Sequence, residues 1–475
     1  MVKTNKIVLL IIFFGFILSV LLSLNNLNKY DKNNIGASGS SYHQMIKYDA
    51  YRYLSHGDNI KNQLKNEVNF FKTGSESYTK YLPARIAAAY YYFFNVDLFE
   101  NSYDKKIKTG VHLPYLIIQC FFYFFCLTLL YLTLSKIFKE KICFIIIFFL
   151  CFEPTIFQYH GTFWSESYFF SLQILLISLI LKPNSKIGTF FFIGFFLGIL
   201  SLQKEYAIFY IIPVIIYFLI YLKEKKIKNI LTLIFGFFIV QSFLGFNNYY
   251  RSGVFYIMPA TTKTDLHMLL VTSVMSKEYN MNTTEFESFE SKATLEWINK
   301  NSIEYKKNYE LLPDSSKEPS FMNYRSYIAN ESDRVKFDLF IISRTFGYFR
   351  DYPINFLTEV IKKSIHILLL NPFHIYSDHK YKSGEVYYLT REHDKLIPYR
   401  IIYTLIVYLI CLLGLFYMIK RKEYKILIYS VLSILYFYVP VSWHGNTRYF
   451  VPSLIYFSIF FASGTDKLIH FIKNK

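Results

Sequence analysis

Ten apolar stretches punctuate this chain, and several approach or exceed the roughly 18 residues that cross the hydrocarbon core of a bilayer. They fall at about 7–24, 112–135, 142–153, 166–181, 187–202, 206–222, 229–247, 400–419, 424–441 and 448–465. Lipid offers no hydrogen-bond partners, so a crossing segment must satisfy its own peptide groups and becomes a helix. The expected fold class is therefore an all-α polytopic membrane protein. It has about 10 transmembrane helices and two large outer loops that carry interfacial helices. The first stretch follows Lys3 and Lys6 and has the outline of a signal peptide. No small-residue cleavage site follows it, so a retained anchor is expected.

Charge fixes the expected orientation. A formal net charge of +18 would direct a soluble protein toward nucleic acid. Here the cations cluster in alternate connections: Lys136, Lys139 and Lys141; Lys182 and Lys186; Lys223, Lys225, Lys226 and Lys228; Lys420, Arg421, Lys422 and Lys425. The tail adds Lys467, Lys473 and Lys475. Cytoplasmic loops carry this bias, so no nucleic-acid partner is expected and membrane lipids are. Both termini then lie in the cytoplasm. The short connections 154–165, 203–205 and 442–447, nearly free of Lys and Arg, lie outside. The expected location is the inner or plasma membrane of a bacterium, multi-pass, with any active site extracytoplasmic. The five cysteines sit in or at the ends of apolar runs, so neither disulfides nor a thiolate metal site is expected.

Three regions follow. Residues 1–247 form an N-terminal membrane module with a first outer loop at 25–111. Residues 248–399 form a large outer region, polar and mixed in charge from Ser273 to Asp338. Residues 400–475 form a C-terminal hairpin and last span. Within the outer region, Ile354–Leu370 is apolar but carries Glu359, Lys362 and Lys363 opposite Phe356, Val360, Ile361 and Ile365. Counting it as a span would put the termini on opposite sides, so it reads as an amphipathic helix lying on the outer surface.

Ionisable groups collect at the outer ends of the stretches. Glu153 ends the third; His160 and Glu166 flank the start of the fourth; Lys204 and Glu205 lie between the fifth and sixth; His444 and Arg448 precede the last. Such groups are costly at a membrane boundary and are functional candidates. Taken singly, each also reads as an anchor that snorkels to water. Lys204 and Arg448 stand against the charge trend of the outer side, which suggests an anionic partner, and a guanidinium suits a phosphate held by two hydrogen bonds. Asp49 and Asp58 bring carboxylates to the same side. A carboxylate can deprotonate an acceptor hydroxyl, and a cation can stabilise charge developing on a leaving phosphate.

At these residues the chain resembles the GT-C class of polytopic glycosyltransferases, in particular the aminoarabinose–lipid A transferases and the protein O-mannosyltransferases. The stretch from Asp49 to Asp58 is similar to their first loop, in which an acid precedes a short helix ending in Gly-Asp. Tyr81-Leu-Pro83-Ala-Arg85 is similar to the entry to a surface helix, and Phe163-Trp-Ser-Glu166 to the start of their fourth span. Gly198-Ile-Leu-Ser-Leu-Gln-Lys204-Glu205 resembles their Arg-Pro-Glu turn, with Lys for Arg and no Pro. Asn248-Tyr-Tyr-Arg251-Ser-Gly253 and Thr447-Arg448-Tyr449-Phe-Val-Pro452 match the entry to the large loop and the start of a late span. Where those families often carry two adjacent acids, this chain has Asp49-Ala50.

The resemblance implies an inverting transfer of a sugar from a polyprenyl-phosphate donor to a lipid, glycan or protein acceptor on the extracytoplasmic side. By the same resemblance Asp49 is the catalytic base, and Arg448 and Lys204 hold the donor phosphate. Asp58, Glu153, His160, Glu166, Glu205, His444 and Tyr449 line the cavity. It implies no certain cofactor; a divalent metal is compatible with it, but no ligand cluster in the sequence demonstrates one. Two other readings stay open. An envelope polysaccharide polymerase or ligase would use arginines of the large loop, such as Arg251, Arg325, Arg334, Arg344 and Arg350. A lipid-linked sugar flippase or transporter would place its ionisable groups at the membrane midplane.

Overall fold

Each apolar stretch is helical in the computed structural model, which describes residues 2–32, 49–74, 81–98, 110–182, 186–257, 266–304, 324, 328–370, 391–444 and 449–474. No strand occurs among them. In the N-terminal half the helices are α1 (Val2–Lys32), α2 (Asp49–Lys65), α3 (Tyr81–Phe93), α4 (Leu113–Leu134), α5 (Glu140–Phe152), the single turn α6 (Pro154–Phe157), α7 (Glu166–Ile180), α8 (Ile187–Gln203), α9 (Ile211–Tyr221) and α10 (Lys226–Ser252). A 3₁₀ segment, Glu205–Tyr210, leads into α9. The 248–399 region holds α11 (Thr272–Glu278), α12 (Thr283–Lys300), α13 (Glu331–Asp351) and α14 (Pro353–Ile367). Then come α15 (Arg391–Lys420), α16 (Tyr424–Tyr438) and α17 (Leu454–Lys473).

Among the described residues four helical segments are long and apolar enough to cross a membrane: Lys6–Asn28, Gly110–Leu134, Lys226–Ser252 and Ile397–Lys420. Their exposed faces are strongly apolar, unlike those of a soluble helix. On α1 the inward groups include Gly15, Ser19, Ser23 and Asn26 beside Val8, Ile12 and Leu27, while Leu10, Phe13 and Phe14 face out. On α10, Gly236, Gln241 and Asn247 are buried and Phe235, Phe238 and Phe246 are exposed. Only a lipid phase rewards that arrangement, because helices in it associate through close packing and polar contacts rather than through hiding apolar surface. The chain is a multi-pass membrane protein.

Small residues set the closest crossings. A Cβ on Gly414 of α15 would strike the carbonyl of Phe460, and one on Gly464 of α17 that of Ile410. The two backbones touch there, and no larger residue fits at either position. A buried hydroxyl cluster ties the C-terminal helices to the rest. Tyr210 Oη lies 2.6 Å from Tyr456 Oη, 2.8 Å from Ser433 Oγ and 3.1 Å from Tyr429 Oη. Buried hydroxyls without partners would cost free energy, so their mutual satisfaction specifies how α16 and α17 seat.

Two expectations are corrected. The helix that starts at Asp49 does not end at Gly57-Asp58; it runs on to Lys65. Gly57 is needed in mid-helix because α3 crosses there, and a Cβ would meet Ala87 Cβ at 2.6 Å. The second concerns α14, where the apolar residues grouped opposite Glu359 do not share one environment. Phe356 is buried, and Glu359 reaches back to Ser273 Oγ at 2.9 Å and Lys277 Nζ at 3.0 Å. The exposed stripe is Ile354, Leu357, Ile361 and Ile365. Hydrophobicity alone could not tell which apolar side meets the protein.

The helices of the 248–399 region have a small core of their own, with Ile298, Ile303, Tyr324, Ile328, Phe337 and Ile341 in one cluster. Beside it lies a buried charge network. Glu290 receives Arg344 Nε at 2.8 Å, Tyr348 Oη at 2.6 Å and His267 Nε2 at 3.2 Å, and Arg344 Nη2 closes on its other oxygen.

Candidate active site

The connection from α5 to α7 is pinned from several directions. Glu153 terminates α5 and caps α6, its carboxylate accepting from Ile156 N at 2.8 Å. An acid at that position satisfies a free helix N–H and meets the positive end of the helix dipole. The other oxygen accepts from Tyr403 Oη of α15. Gly161 allows α1 to approach, and Asn26 Nδ2 donates to its carbonyl at 2.9 Å. Gln119 Nε2 donates to the carbonyls of His160 and Thr162. His160 is fully buried, with its ring centroid 4.1 Å from that of Tyr123 and Nδ1 3.1 Å from Ser167 Oγ. Burial pushes the imidazole down to about 3, so it is neutral at ordinary pH.

The start of α7 and the end of α8 meet next. Gln203 Nε2 donates to Ser165 O at 2.9 Å, which brings Lys204 over Glu166. Lys204 Nζ lies 2.5 Å from Glu166 Oε1, and each residue is 1% exposed. Tyr449 presents its ring 5.7 Å from the same ammonium and packs against Tyr206. Glu205, next in the chain, is half-buried and opens the 3₁₀ segment. Three of the sequence candidates, Glu166, Lys204 and Tyr449, are thus gathered at one point. Glu153 and His160 belong to the same connection but direct their side chains elsewhere.

Asp58 is engaged on α2. Its Oδ1 lies 2.8 Å from the buried Lys61 Nζ, which also meets Asp97 at 2.7 Å. Asp49 is the first residue of α2, and His444 ends the 3₁₀ turn Val439–His444; the side chains of both lie outside the described residues. Arg448 lies outside them altogether. The first-loop helices approach the α5–α7 connection through His112. Its Nε2 is 3.0 Å from Tyr91 Oη of α3, and its ring is 5.3 Å from Phe163.

Several participants carry no motif. Tyr403 is identified only by contact across the fold, and Gln203, although inside the Gly198–Glu205 motif, gains its role only from its contact with Ser165. Arg400 is buried and donates to Leu369 O and Leu370 O, where the chain leaves α14. A guanidinium at the mouth of an apolar stretch was the available signal. Among the described residues no group of three His, Cys, Asp or Glu side chains could hold a metal ion.

The positively charged connections gather at the far end of the helices. Residues of 180–187, 217–229 and Lys425 surround one hollow there, and Lys141 pairs with Asp466 at 2.8 Å.

No protein-family model and no curated protein matches the sequence. Similar solved structures include the archaeal oligosaccharyltransferase AglB from Archaeoglobus fulgidus in complex with an inhibitory peptide and a dolichol-phosphate, at 11% identity and a TM-score of 0.45, covering 98% of this chain and 51% of that one. The apo form of the Archaeoglobus fulgidus oligosaccharyltransferase is 12% identical with a TM-score of 0.44, covering 98% and 52%. Its complex with Zn and sulfate is 12% identical with a TM-score of 0.45, covering 96% and 49%. This chain spans about half the length of the solved structures it matches.

Proposed function

We propose that the chain is an inverting membrane glycosyltransferase that moves a sugar from a polyprenyl-phosphate donor to an acceptor on the extracytoplasmic side. The observation that carries this reading is the buried Glu166–Lys204 pair with Tyr449 beside it, assembled from three separate connections expected to face outward. Ion pairs buried without exposure contribute little net stability, so their retention asks for another role. In the proposed reaction Asp49 takes the proton of the acceptor hydroxyl. The acceptor oxygen bonds to the anomeric carbon from the face opposite the phosphate. The bond from that carbon to the phosphate oxygen breaks, and the phosphate leaves with the electron pair, its charge met by Arg448 and Lys204. Glu166 holds Lys204 in place until the phosphate competes for it. No step is routed through a metal.

Ten spans with both termini in the cytoplasm complete the proposal, and the segregation of lysines to one end of the helices supports it. The exposed stripe of α14 supports its lying in the outer interface, as an interfacial helix turns its apolar side to lipid.

The test uses Lys204→Met, Glu166→Leu and the pair together. Removing one charge strands the other and lowers yield; removing both restores yield. Under this reading the double variant folds but loses transfer, measured by mass spectrometry of surface glycans and polyprenyl-phosphate sugars in cells with and without the gene. A double variant with full transfer would reduce the pair to a structural device.

A further inference from the structure

The end of the bundle away from the candidate active site holds a hollow of about 600 Å³. Six lysines line it: Lys182 and Lys186 between α7 and α8, Lys223, Lys225 and Lys228 around the start of α10, and Lys425 at the start of α16. A single lining carboxylate, Glu224, stands against them. Cytoplasmic bias explains lysines in each connection, but not their convergence from three connections on one concavity.

The backbone adds to the same field. The 17-residue α8 and the 27-residue α10 both begin in this wall. Neither N-terminus receives a side-chain cap; the cap positions are occupied by Lys186 and Lys225. Their free N–H groups and positive dipole ends therefore reinforce the ammonium groups. Apolar residues such as Ile187, Phe190 and Phe218 make up much of the rest of the lining, beside Tyr217, Tyr221 and Asn229. Alongside, α9 exposes Leu219 and Ile220. A second hollow of about 250 Å³ shares Lys425 and adds Lys422 and Glu423.

We propose that this hollow binds an anionic phospholipid whose head group carries two phosphates, with its acyl chains lying along α9. The ligand must combine multiple negative charge with an apolar body, because the site offers cations and exposed aliphatic surface side by side. Basic pockets between membrane helices hold such head groups. Only the choice of leaflet rests on the proposed topology; the site itself is independent of the transfer reaction.

The test is binding to the purified full chain in neutral detergent, read by native mass spectrometry and by melting temperature. The probes are cardiolipin, a zwitterionic phosphatidylcholine, and inorganic pyrophosphate as soluble competitor. The variant is Lys186→Gln with Lys225→Gly and Lys228→Gln. Glycine suits position 225, whose backbone is left-handed at φ +50. The control removes equal charge elsewhere with Lys420→Gln, Lys467→Gln and Lys473→Gln. Cardiolipin affinity is expected to fall on the order of 100-fold in the variant and less than about threefold in the control. Lys425→Gln alone is expected to cost about fivefold and serves if the triple variant does not fold. Equal losses in variant and control, no preference over phosphatidylcholine, or displacement by pyrophosphate at concentrations comparable to the lipid would each overturn the assignment. None of these readouts depends on sugar transfer.

Discussion

Glu166 in the membrane bundle and Glu290 in the 248–399 region are both buried beside a cation, and they are held in different ways. Glu290 accepts from His267, Tyr348 and both ends of the Arg344 fork. Burial alone would raise its pKa, but the hydrogen bonds and charges of His267 and Arg344 outweigh it and hold the carboxyl at about 2. Glu166 takes the Lys204 ammonium on one oxygen and the Ser165 hydroxyl, at a long 3.5 Å, on the other. The planar fork of arginine fixes geometry, whereas an ammonium is a point charge on a flexible stem. The first arrangement is suited to holding helices together. The second is suited to a cation that changes partners.

That contrast is open to experiment. The largest effect is expected from Glu290→Leu, which strands Arg344 and His267 and should cost about 3 kcal/mol or more in the outer region, read as loss of its cooperative unfolding transition. Next is pH. A carboxyl held at about 2 when folded, against about 4.3 when unfolded, contributes stability that is fully present above pH of about 4.3 and is lost as pH falls toward 2. The loss should total about 3 kcal/mol, and Glu290→Gln should flatten the acid limb of a melting-temperature profile. Tyr348→Phe removes one of several donors and should cost about 1.5 kcal/mol by denaturant titration. The smallest effect is expected from Ser165→Ala, below about 1 kcal/mol, since its bond to Glu166 is long. A Ser165→Ala cost as large as that of Tyr348→Phe would erase the contrast, making Glu166 as firmly held as Glu290.

Much of the helical layout could be read from hydropathy, because lipid imposes helix on any long apolar stretch. The expected run 229–247 lies inside α10, and 400–419 inside α15. Lys204 and Glu166 were each identifiable as charges at the membrane boundary. Their pairing was not, because the 38 residues between them close only through a helix hairpin. The Glu290 network was missed for the same reason: Arg344 lies 54 residues on, in a polar region where charge carries no signal of burial. Gly57 misled because glycine after a helix start reads as a stop, whereas here it makes room for Ala87.

The touching backbones of α15 and α17 have a consequence in time. Among the described helices α17 is the last to leave the ribosome, yet it lies against some of the first. Phe461 packs against Phe149 with centroids 4.7 Å apart and rings tilted at 43°, and Gln173 Nε2 donates to Pro452 O, just before α17, across 279 residues of chain. The N-terminal helices must therefore wait in the bilayer with one flank open until α17 has been made. During that interval the flank is accessible to other membrane segments, and a quality-control factor that senses unpaired helices would find it there. Bulk introduced at Gly414 or Gly464 would prolong that wait, and the defect would show as shortened lifetime of new chains rather than as altered chemistry in mature ones.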